Sequence, residues 1–272
     1  MFVDKKSITE IDINKTVEVI KKRLERFVRN VDVNPSSNGE IVIKVSSYVQ
    51  IDKLNTIIEN KGKLDFWECV DGRDLMSFLF EVDNKLKTDS VSNPLTSIIK
   101  NIDYQSFPLF STEDTVKVKS ILKDQKIKEL YTDENYYLEF LFGLPKENLV
   151  TLHGITSNRE RRSKVNDKHI ISAQQDYDQI GKPAISITMD NYGASQWFKM
   201  TKYAFENRTQ IAISVNDVVY SAPGVSVGAI SGGKSQVSGN FTLEEAQNLS
   251  AILNGGGRIP KLKFLHSKKI KN

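Results

Sequence analysis

Residues 41–69, IVIKVSSYVQIDKLNTIIENKGKLDFWEC, carry the pattern that decides the fold. The first residues alternate between apolar and polar side chains, which predicts a strand with one buried face. Apolar residues at helical spacing from Ile51 to Ile58 predict an amphipathic helix. Gly62 suits the left-handed position that ends a helix, and the apolar stretch from Leu64 to Cys69 predicts a further strand.

The residues before this stretch predict elements of the same kinds. Ile8 to Ile13 is predicted as an edge strand and Asn14 as the cap of an amphipathic helix that reaches Phe27. Val31 to Val33 is predicted as a short strand. The resulting order, β-α-β-β-α-β, is the ferredoxin-like pattern. The sequence therefore predicts an α+β fold with a ferredoxin-like subdomain.

From residue 184 onward the pattern is again regular, with a strand, a helix and a hairpin predicted in that order. The hairpin is predicted to turn at Asn216–Asp217, a pair that accepts the left-handed conformation of two-residue turns. The segment Thr242–Glu245 has the spacing of a capping box and is predicted to open a last helix. Residues 72 to 180 are less regular and predict only short elements.

Composition restricts the classes of protein that this chain can represent. It has 272 residues, a net charge of +4 and a single cysteine, Cys69, so an intrachain disulfide and a cysteine-based metal site are excluded. Its apolar runs hold only a few residues, whereas a membrane span needs about 20. The small basic excess, concentrated near the tail at 267–272, and the lack of aromatics in the strand at 41–47 argue against a nucleic-acid partner.

Two short motifs match the residue patterns of enzyme signatures but lack the predicted helix that those signatures require. Gly228–Ser235 reads GAISGGKS and fits the phosphate-loop pattern, but QVSGN follows where that loop needs a helix. Gly224–Gly228 reads GVSVG, the pattern of a nucleophile elbow, and again no helix is predicted after it. His153, His169 and His266 are scattered without metal-binding spacing. We predict no enzymatic activity, no cofactor and no metal, with a phosphate-loop nucleotide-binding enzyme as the alternative.

Several segments resemble the SecD family of protein-export membrane proteins. Lys261 stands where the family has a second proline, and residues 72–165 match only loosely, so we take them as a family-variable insertion. In chain order, the similar segments are IKKRL at 20–24, KGKLDF at 61–66, SAQQDYD at 172–178, IAISVNDVVYSAP at 211–223, GG at 232–233, QVSGNFT at 236–242 and NGGGRIPKLK at 254–263.

The resemblance implies the first large periplasmic domain of a SecD or fused SecDF inner-membrane protein, cut from between two transmembrane helices. It implies a ferredoxin-like base formed by residues 1–71 and 240–266, with an α+β head, residues 72–239, inserted into it. The basic tail at 267–272 would then lead back toward the bilayer.

The resemblance also implies a mechanical function. The domain would hold emerging unfolded preprotein and move its head against its base to assist export driven by the proton motive force. Its other partners would be the Sec translocon, SecYEG, and the SecF part, reached through membrane segments that this sequence lacks. A static docking module that binds one fixed partner is a further alternative.

Two sets of residues follow from this interpretation. The head segment that continues the predicted hairpin would line the polypeptide-binding surface, and glycine-containing positions at the two head–base crossings would form the hinge. The predicted binding residues are Tyr220, Ser221, Ala222 and Pro223, and the predicted hinge residues are Gly72, Arg73, Gly239 and Asn240.

Overall fold

The computed structural model describes residues 1–3, 8–36, 38–89, 93–103, 106–130, 137–158, 160, 162–239, 241–254 and 258–268. Helices and strands alternate irregularly along these ranges, which confirms the predicted α+β class. The helices are α1 (Glu10–Leu24), α2 (Ile51–Glu59), α3 (Gly72–Leu86), α4 (Thr115–Leu122), α5 (Gln125–Lys128), α6 (Asn191–Asn207) and α7 (Leu243–Asn254). The strands are β1 (Asn30–Pro35), β2 (Ile41–Ser46), β3 (Leu64–Glu68), β4 (Ile99–Ile102), β5 (Pro108–Ser111), β6 (Tyr137–Gly143), β7 (Leu149–Ser157), β8 (Val165–Asn166), β9 (Ile170–Tyr177), β10 (Pro183–Met189), β11 (Ile211–Val215), β12 (Val218–Ser221) and β13 (Lys234–Ser238).

The described strands form three sheets. β1 and β2 pair only with each other, in an antiparallel ribbon. A second sheet has the order β13-β10-β9, and a third has the order β4-β5-β7-β6-β12-β11-β3-β8. Neighbours in the larger sheets are antiparallel, except that β12 runs parallel to β6.

The predicted edge strand at Ile8 to Ile13 is wrong, because most of this segment lies in helix α1. Thr9 caps the helix, with its hydroxyl accepting a hydrogen bond from the main-chain N–H of Asp12, while the Asp12 carboxylate accepts from the N–H of Thr9. This reciprocal pair satisfies two N–H groups at the helix start. The predicted cap, Asn14, lies inside the helix, one turn later.

The predicted ferredoxin-like sheet is not formed by the described strands. β3, which the prediction counts as the fourth strand of that sheet, lies instead between β11 and β8 in the large sheet. The reason is that β3 is buried on both faces, since Phe66 and Trp67 point to opposite sides and both are almost fully buried. A strand with two apolar faces needs a packed layer on each side.

A central core lies on one face of β3 and β11, against the three-stranded sheet and helices α6 and α7. Its aromatic centre is an edge-to-face pair, Phe66 and Trp197, whose ring centroids are 5.2 Å apart. Its members are Leu64, Phe66, Val165, Ala173, Ile185, Ile187, Met189, Trp197, Met200, Ala204, Ile211, Ile213, Val215, Val237, Phe241, Ala246, Leu249 and Leu253.

An insertion core lies on the opposite face of the same sheet, where helices α3 to α5 cover strands β5 to β7. Most of its side chains come from residues 72–165, so the loosely matched part of the sequence forms a packed layer of its own. Its members are Trp67, Cys69, Leu75, Leu79, Val82, Leu95, Phe107, Phe110, Val118, Leu122, Ile127, Phe142, Val150, Leu152, Ile155, Ala212 and Val219.

A terminal core joins the two ends of the chain. Helices α1 and α2 pack on the β1–β2 ribbon, and Phe2 forms an antiparallel bridge with Leu262. The core is formed by Phe2, Val19, Ile20, Leu24, Val28, Val33, Leu54, Ile57, Ile259 and Leu262. Residues from the beginning and the end of the sequence therefore form one packed unit.

Two local predictions in the C-terminal part are confirmed. Asn216 and Asp217 both have positive φ, 53° and 66°, and connect β11 to β12 as a tight hairpin turn. Thr242 and Glu245 form the capping box: the hydroxyl accepts from the N–H of Glu245, and the carboxylate accepts from the N–H of Thr242. In the described part of the chain, no helix combines the length and apolarity that crossing a membrane requires.

Candidate functional site

The predicted binding segment Tyr220–Pro223 lies at the end of β12, beside the start of β11. The main-chain oxygen of Pro223 accepts a hydrogen bond of 3.0 Å from the N–H of Ile211, which holds the segment against the sheet. All four side chains are half-buried. Tyr220 packs against the central core and Ala222 against the insertion core, so the segment spans the boundary between the two layers.

Burial also keeps the Tyr220 side chain of this segment un-ionised. Desolvation raises the pKa of Tyr220 above its usual value, and the nearby carboxylate of Glu245 raises it further. The phenol is therefore neutral at physiological pH, and the segment offers a partner apolar surface and uncharged polar groups.

A groove of about 610 Å³ begins where this segment ends. One wall is the C-terminal end of α6 with the residues that follow it, and the other is the chain after Pro223. The groove is lined by Phe205, Glu206, Arg208, Thr209, Gln210, Gly224, Val225 and Ser226. The sequence prediction missed its α6 side, although Arg208, which ends the helix at a φ of 56°, marks a change of chain direction.

Two of the residues that line the groove each have one buried side-chain atom without a hydrogen-bond partner within the described structure. Thr209 and Gln210 are 7% and 8% exposed, and neither the Thr209 hydroxyl oxygen nor Oε1 of Gln210 has a partner there. A buried polar atom without a partner costs about 1–3 kcal/mol. The two residues are adjacent in the chain, so both costs fall at one place in the fold.

Two of the predicted hinge residues, Gly72 and Gly239, occupy packed positions. Gly72 is buried at the first turn of α3, and the Asp71 carboxylate accepts hydrogen bonds from N–H and Nε of Arg73. Gly239 follows β13 and lies against Ser221, so that a Cβ atom added there would come within 2.8 Å of the Ser221 hydroxyl oxygen. Asn240 lies outside the described residues.

The two enzyme-like motifs lack the structure that their chemistry needs. Lys234, the lysine of the phosphate-loop pattern, is the first residue of strand β13 rather than of a helix. A phosphate loop depends on helix N–H groups directed at the ligand, so the structure does not support the nucleotide-binding alternative. Ser226, the serine of the nucleophile-elbow pattern, is likewise followed by a turn and loop.

The three histidines are in unrelated environments. His153 is buried in β7 beside the ring of Phe107, and burial lowers its pKa to about 4. His169 is half-buried, with Nδ1 3.3 Å from the Asp190 carboxylate. His266 is exposed in the C-terminal segment. Within the described ranges, no group of histidine, cysteine and acidic residues is arranged to hold a metal ion.

A second groove of about 460 Å³ lies beside β4, an edge strand of the large sheet. Phe80 of α3 and Ile102 of β4 line it and are 53% and 47% exposed. It belongs entirely to the insertion, and the sequence prediction assigned it no role.

Comparison with protein families gives one match, which covers β7 to α7. Residues 148–257 match the model described as SecDF, P1 head subdomain. The matched region begins inside the predicted head and ends inside the predicted C-terminal part of the base, beyond residue 239. In SecDF this subdomain belongs to the periplasmic region of an inner-membrane protein.

Curated relatives are protein translocase subunits SecD. The protein of Rhodothermus marinus is 22% identical over 281 residues, which cover 90% of this chain and 44% of the relative. That of Calditerrivibrio nitroreducens is 37% identical over 92 residues, which cover 34% of this chain and 17% of the relative. The chain thus spans less than half the length of these relatives.

Solved structures share the fold. A chain from the structure of SecDF, a membrane component that enhances protein export, is 18% identical, with a TM-score of 0.57 over 99% of this chain and 98% of that one. SecDF in its super-membrane-facing form is 17% identical, with the same TM-score over 96% of this chain and 28% of that one. Together, the three comparisons confirm the resemblance to the SecD/SecDF periplasmic domain predicted from the sequence.

Proposed function

We propose, from the confirmed resemblance to the first periplasmic domain of SecD/SecDF proteins, that this domain holds unfolded preprotein as it leaves the translocon. Its head moves against its base, and the proton motive force across the membrane part of the native protein drives that movement. The domain faces the periplasm beside the inner membrane. Its partners are the preprotein and, through membrane segments, SecYEG and SecF.

The surface from Tyr220 to Ser226 carries the binding part of the proposal. It combines the half-buried segment Tyr220–Pro223 with the groove that begins after it, whose walls include the exposed ring of Phe205 and the half-buried Val225. Unfolded polypeptide presents apolar side chains, which this surface can contact. Because the groove begins at the residue after Pro223, one bound chain can contact both the segment and the groove.

The packing supports a different division of the chain from the one that the sequence predicts. β3 pairs with β11, and α7 packs in the central core, so a rigid moving body includes both elements. The terminal core forms the other body. We therefore propose a hinge at Gly62, which has a φ of 70° between α2 and β3, in preference to Gly72. Gly239 then lies inside the moving body.

Site-specific photo-crosslinking in the native protein tests the binding surface. A photoreactive phenylalanine analogue replaces Tyr220 or Ala222, and an arrested export substrate is trapped in the translocon. Tyr48 provides a matched control, because it is a fully exposed tyrosine between β2 and α2. We expect adducts with the substrate at 220 and 222 and not at 48. Equal labelling at all three positions, or none at 220 and 222, contradicts the proposal.

Peptide binding separates this function from a static docking module. The domain is applied to an array of unfolded peptides of unrelated sequence. A polypeptide-holding domain binds many of them weakly, whereas a docking module binds none or a single related set.

A further inference from the structure

We infer that the paired chain ends of the terminal core bind the surface of an anionic lipid bilayer, with lysine side chains on the lipid phosphates and apolar side chains among the headgroups. This inference goes beyond the proposed function, because it concerns the terminal core and not the preprotein-binding surface. Such a contact holds one of the two bodies against the membrane while the other body moves.

The first argument is the distribution of charge along the chain. Residues 1–59 and 259–272, which supply the terminal core, contain 15 basic and 9 acidic residues, whereas residues 60–258 contain 23 basic and 25 acidic residues. The net charge of +4 therefore consists of +6 in the terminal part and −2 in the rest. This asymmetry favours an anionic surface as a partner of the terminal part alone.

The second argument is the way in which the two chain ends pair. Phe2 and Leu262 form an antiparallel bridge, and both side chains are almost fully buried. The N–H of Val3 donates to the oxygen of Lys261 at 2.9 Å and holds the two ends side by side. Successive side chains of an extended segment point to opposite sides, so the neighbours of the buried pair point away from the core. This outward side carries Val3, which is 50% exposed, and the exposed Lys261 and Lys263.

The third argument is that two more exposed apolar side chains follow this bridge. Phe264 is 42% and Leu265 is 44% exposed. The N–H of Phe264 donates to the Glu59 carboxylate at 2.6 Å, which ties this stretch to the end of α2. Apolar side chains beside lysines suit a bilayer surface, where the apolar groups leave water and the ammonium groups meet lipid phosphates. A soluble acidic partner needs only the lysines.

Sedimentation with vesicles tests the binding. The full 272-residue chain is mixed with vesicles of phosphatidylcholine, either alone or with added phosphatidylglycerol. We expect binding to the mixed vesicles that weakens as salt is added, and little binding to phosphatidylcholine alone. Lys261→Gln and Lys263→Gln should each weaken it roughly five-fold. The double change Lys117→Gln and Lys123→Gln, at exposed positions of the insertion, is the control for net charge and should leave binding unaltered.

A fluorescent label reports whether this surface reaches the lipid. An environment-sensitive dye is attached to Leu265→Cys, and the native Cys69 is buried and therefore protected from labelling. We expect a blue shift and stronger emission on the mixed vesicles. The same dye at Ile180→Cys, which is 77% exposed in the turn between β9 and β10, should show neither change.

Substitution of the apolar side chains separates a bilayer from other anionic partners. Val3→Ser combined with Phe264→Ser should weaken binding to the mixed vesicles and leave the affinity for polyglutamate, a soluble anionic chain, unchanged. If this double change lowers the melting temperature of the chain, the dye response at position 265 decides in its place.

Three results overturn the inference: no binding to the mixed vesicles, no dye response at position 265, or vesicle binding that depends on the lysines but not on the apolar side chains. The last result identifies a general anion-binding surface, as an acidic protein segment or a nucleic acid would use. All three leave preprotein holding untouched, because crosslinking at Tyr220 and Ala222 tests that function on a different surface.

Discussion

In the terminal core, Nη1 of Arg23 lies 2.5 Å from the main-chain oxygen of Asn60, to which it donates a hydrogen bond. The same atom donates to the oxygen of Ile57 at 3.3 Å, so the guanidinium closes the C-terminal end of helix α2, where carbonyl groups lack partners within the helix. Arg23 is completely buried, and desolvation lowers its pKa to about 10. It remains charged at neutral pH and binds α1 to α2.

Replacing Arg23 with methionine should destabilise the domain by about 2–4 kcal/mol, because buried carbonyl groups lose their donor and the apolar side chain cannot replace it. Denaturant unfolding followed by circular dichroism measures the change. Arg26→Met is the control, since Arg26 is exposed three residues later and its loss should alter stability by less than about 0.5 kcal/mol. If the two substitutions lower the free energy of unfolding equally, the hydrogen bonds from Arg23 to the end of α2 do not stabilise the domain.

Arg23 also illustrates what the sequence can and cannot predict. The apolar spacing correctly predicted a helix here, and Arg23, like Lys21 and Lys22, lies between the apolar positions Val17, Ile20, Leu24 and Phe27 that defined its buried face. Local features, such as the Asn216–Asp217 turn and the Thr242 capping box, were predictable because neighbouring residues determine them. The burial of Arg23 depends on carbonyl groups more than thirty residues away, and periodicity contains no such information.

His153 should make stability depend on pH. Burial lowers its pKa from 6.5 to about 4, so the unfolded chain takes up a proton before the folded one does. The group's contribution is therefore fully present above pH 6.5 and is lost as pH falls toward 4, up to roughly 3 kcal/mol. His153→Leu should reduce the difference in melting temperature between pH 7 and pH 4.5. A variant with the same pH dependence as the unaltered chain would assign that dependence to other groups.

Arg258 joins two carboxylates that are distant in sequence. Its Nε donates to Asp167 at 2.8 Å and its Nη2 to Asp65 at 3.3 Å, and Asp65 also accepts from the hydroxyl of Ser163. Burial raises the pKa of Asp65, so the ionised form is costly without a counter-ion. Arg258→Met should therefore destabilise the domain by about 1–3 kcal/mol, measured by denaturant unfolding.

The pH dependence of this variant has a definite sign. An acid whose folded pKa is raised favours the folded state at low pH and loses that stability as pH rises above its ordinary value, 3.8. The deficit of Arg258→Met should thus be larger at pH 7 than at pH 4.5. Adding Asp65→Asn should recover part of it, and a double variant less stable than Arg258→Met would contradict the proposed charge balance.

Lys234 provides the test of the nucleotide-binding alternative. It is exposed at the start of β13, so a strand and not a helix begins directly at this lysine. We expect no heat of binding for ATP with magnesium in isothermal titration calorimetry, before or after Lys234→Ala, and an unchanged melting temperature. Measurable ATP binding that Lys234→Ala abolishes would restore the enzyme interpretation.

Only one side of the candidate site could be predicted from the sequence, because the other side is formed by residues that the fold brings together. Tyr220–Pro223 was identified through a segment with a recognisable sequence, whereas Thr209 and Gln210 belong to no motif. They line the groove only because the fold brings the end of α6 beside the chain after Pro223, and the sequence does not show that contact. The pairing of β3 with β11 could not be predicted either. The two strands are about 150 residues apart in the sequence, and tertiary packing determines which strands pair over such a separation.

Gly239 can be a hinge or a packing position, and one pair of variants distinguishes the two roles. Gly239→Ala brings a Cβ atom within 2.8 Å of the Ser221 hydroxyl oxygen, so we expect a loss of about 1–3 kcal/mol in unfolding free energy. Gly224→Ala meets nothing within 4 Å and is the matched control. Adding Ser221→Gly makes room for the new methyl group, and Ser221→Gly alone is the reference for stability and export, because Ser221 belongs to the predicted binding segment and its hydroxyl donates to the oxygen of Ser238. If packing is the role of Gly239, this second change restores both stability and export in cells. If its backbone freedom is needed for head movement, stability returns while export does not, and the hinge belongs at Gly239 after all.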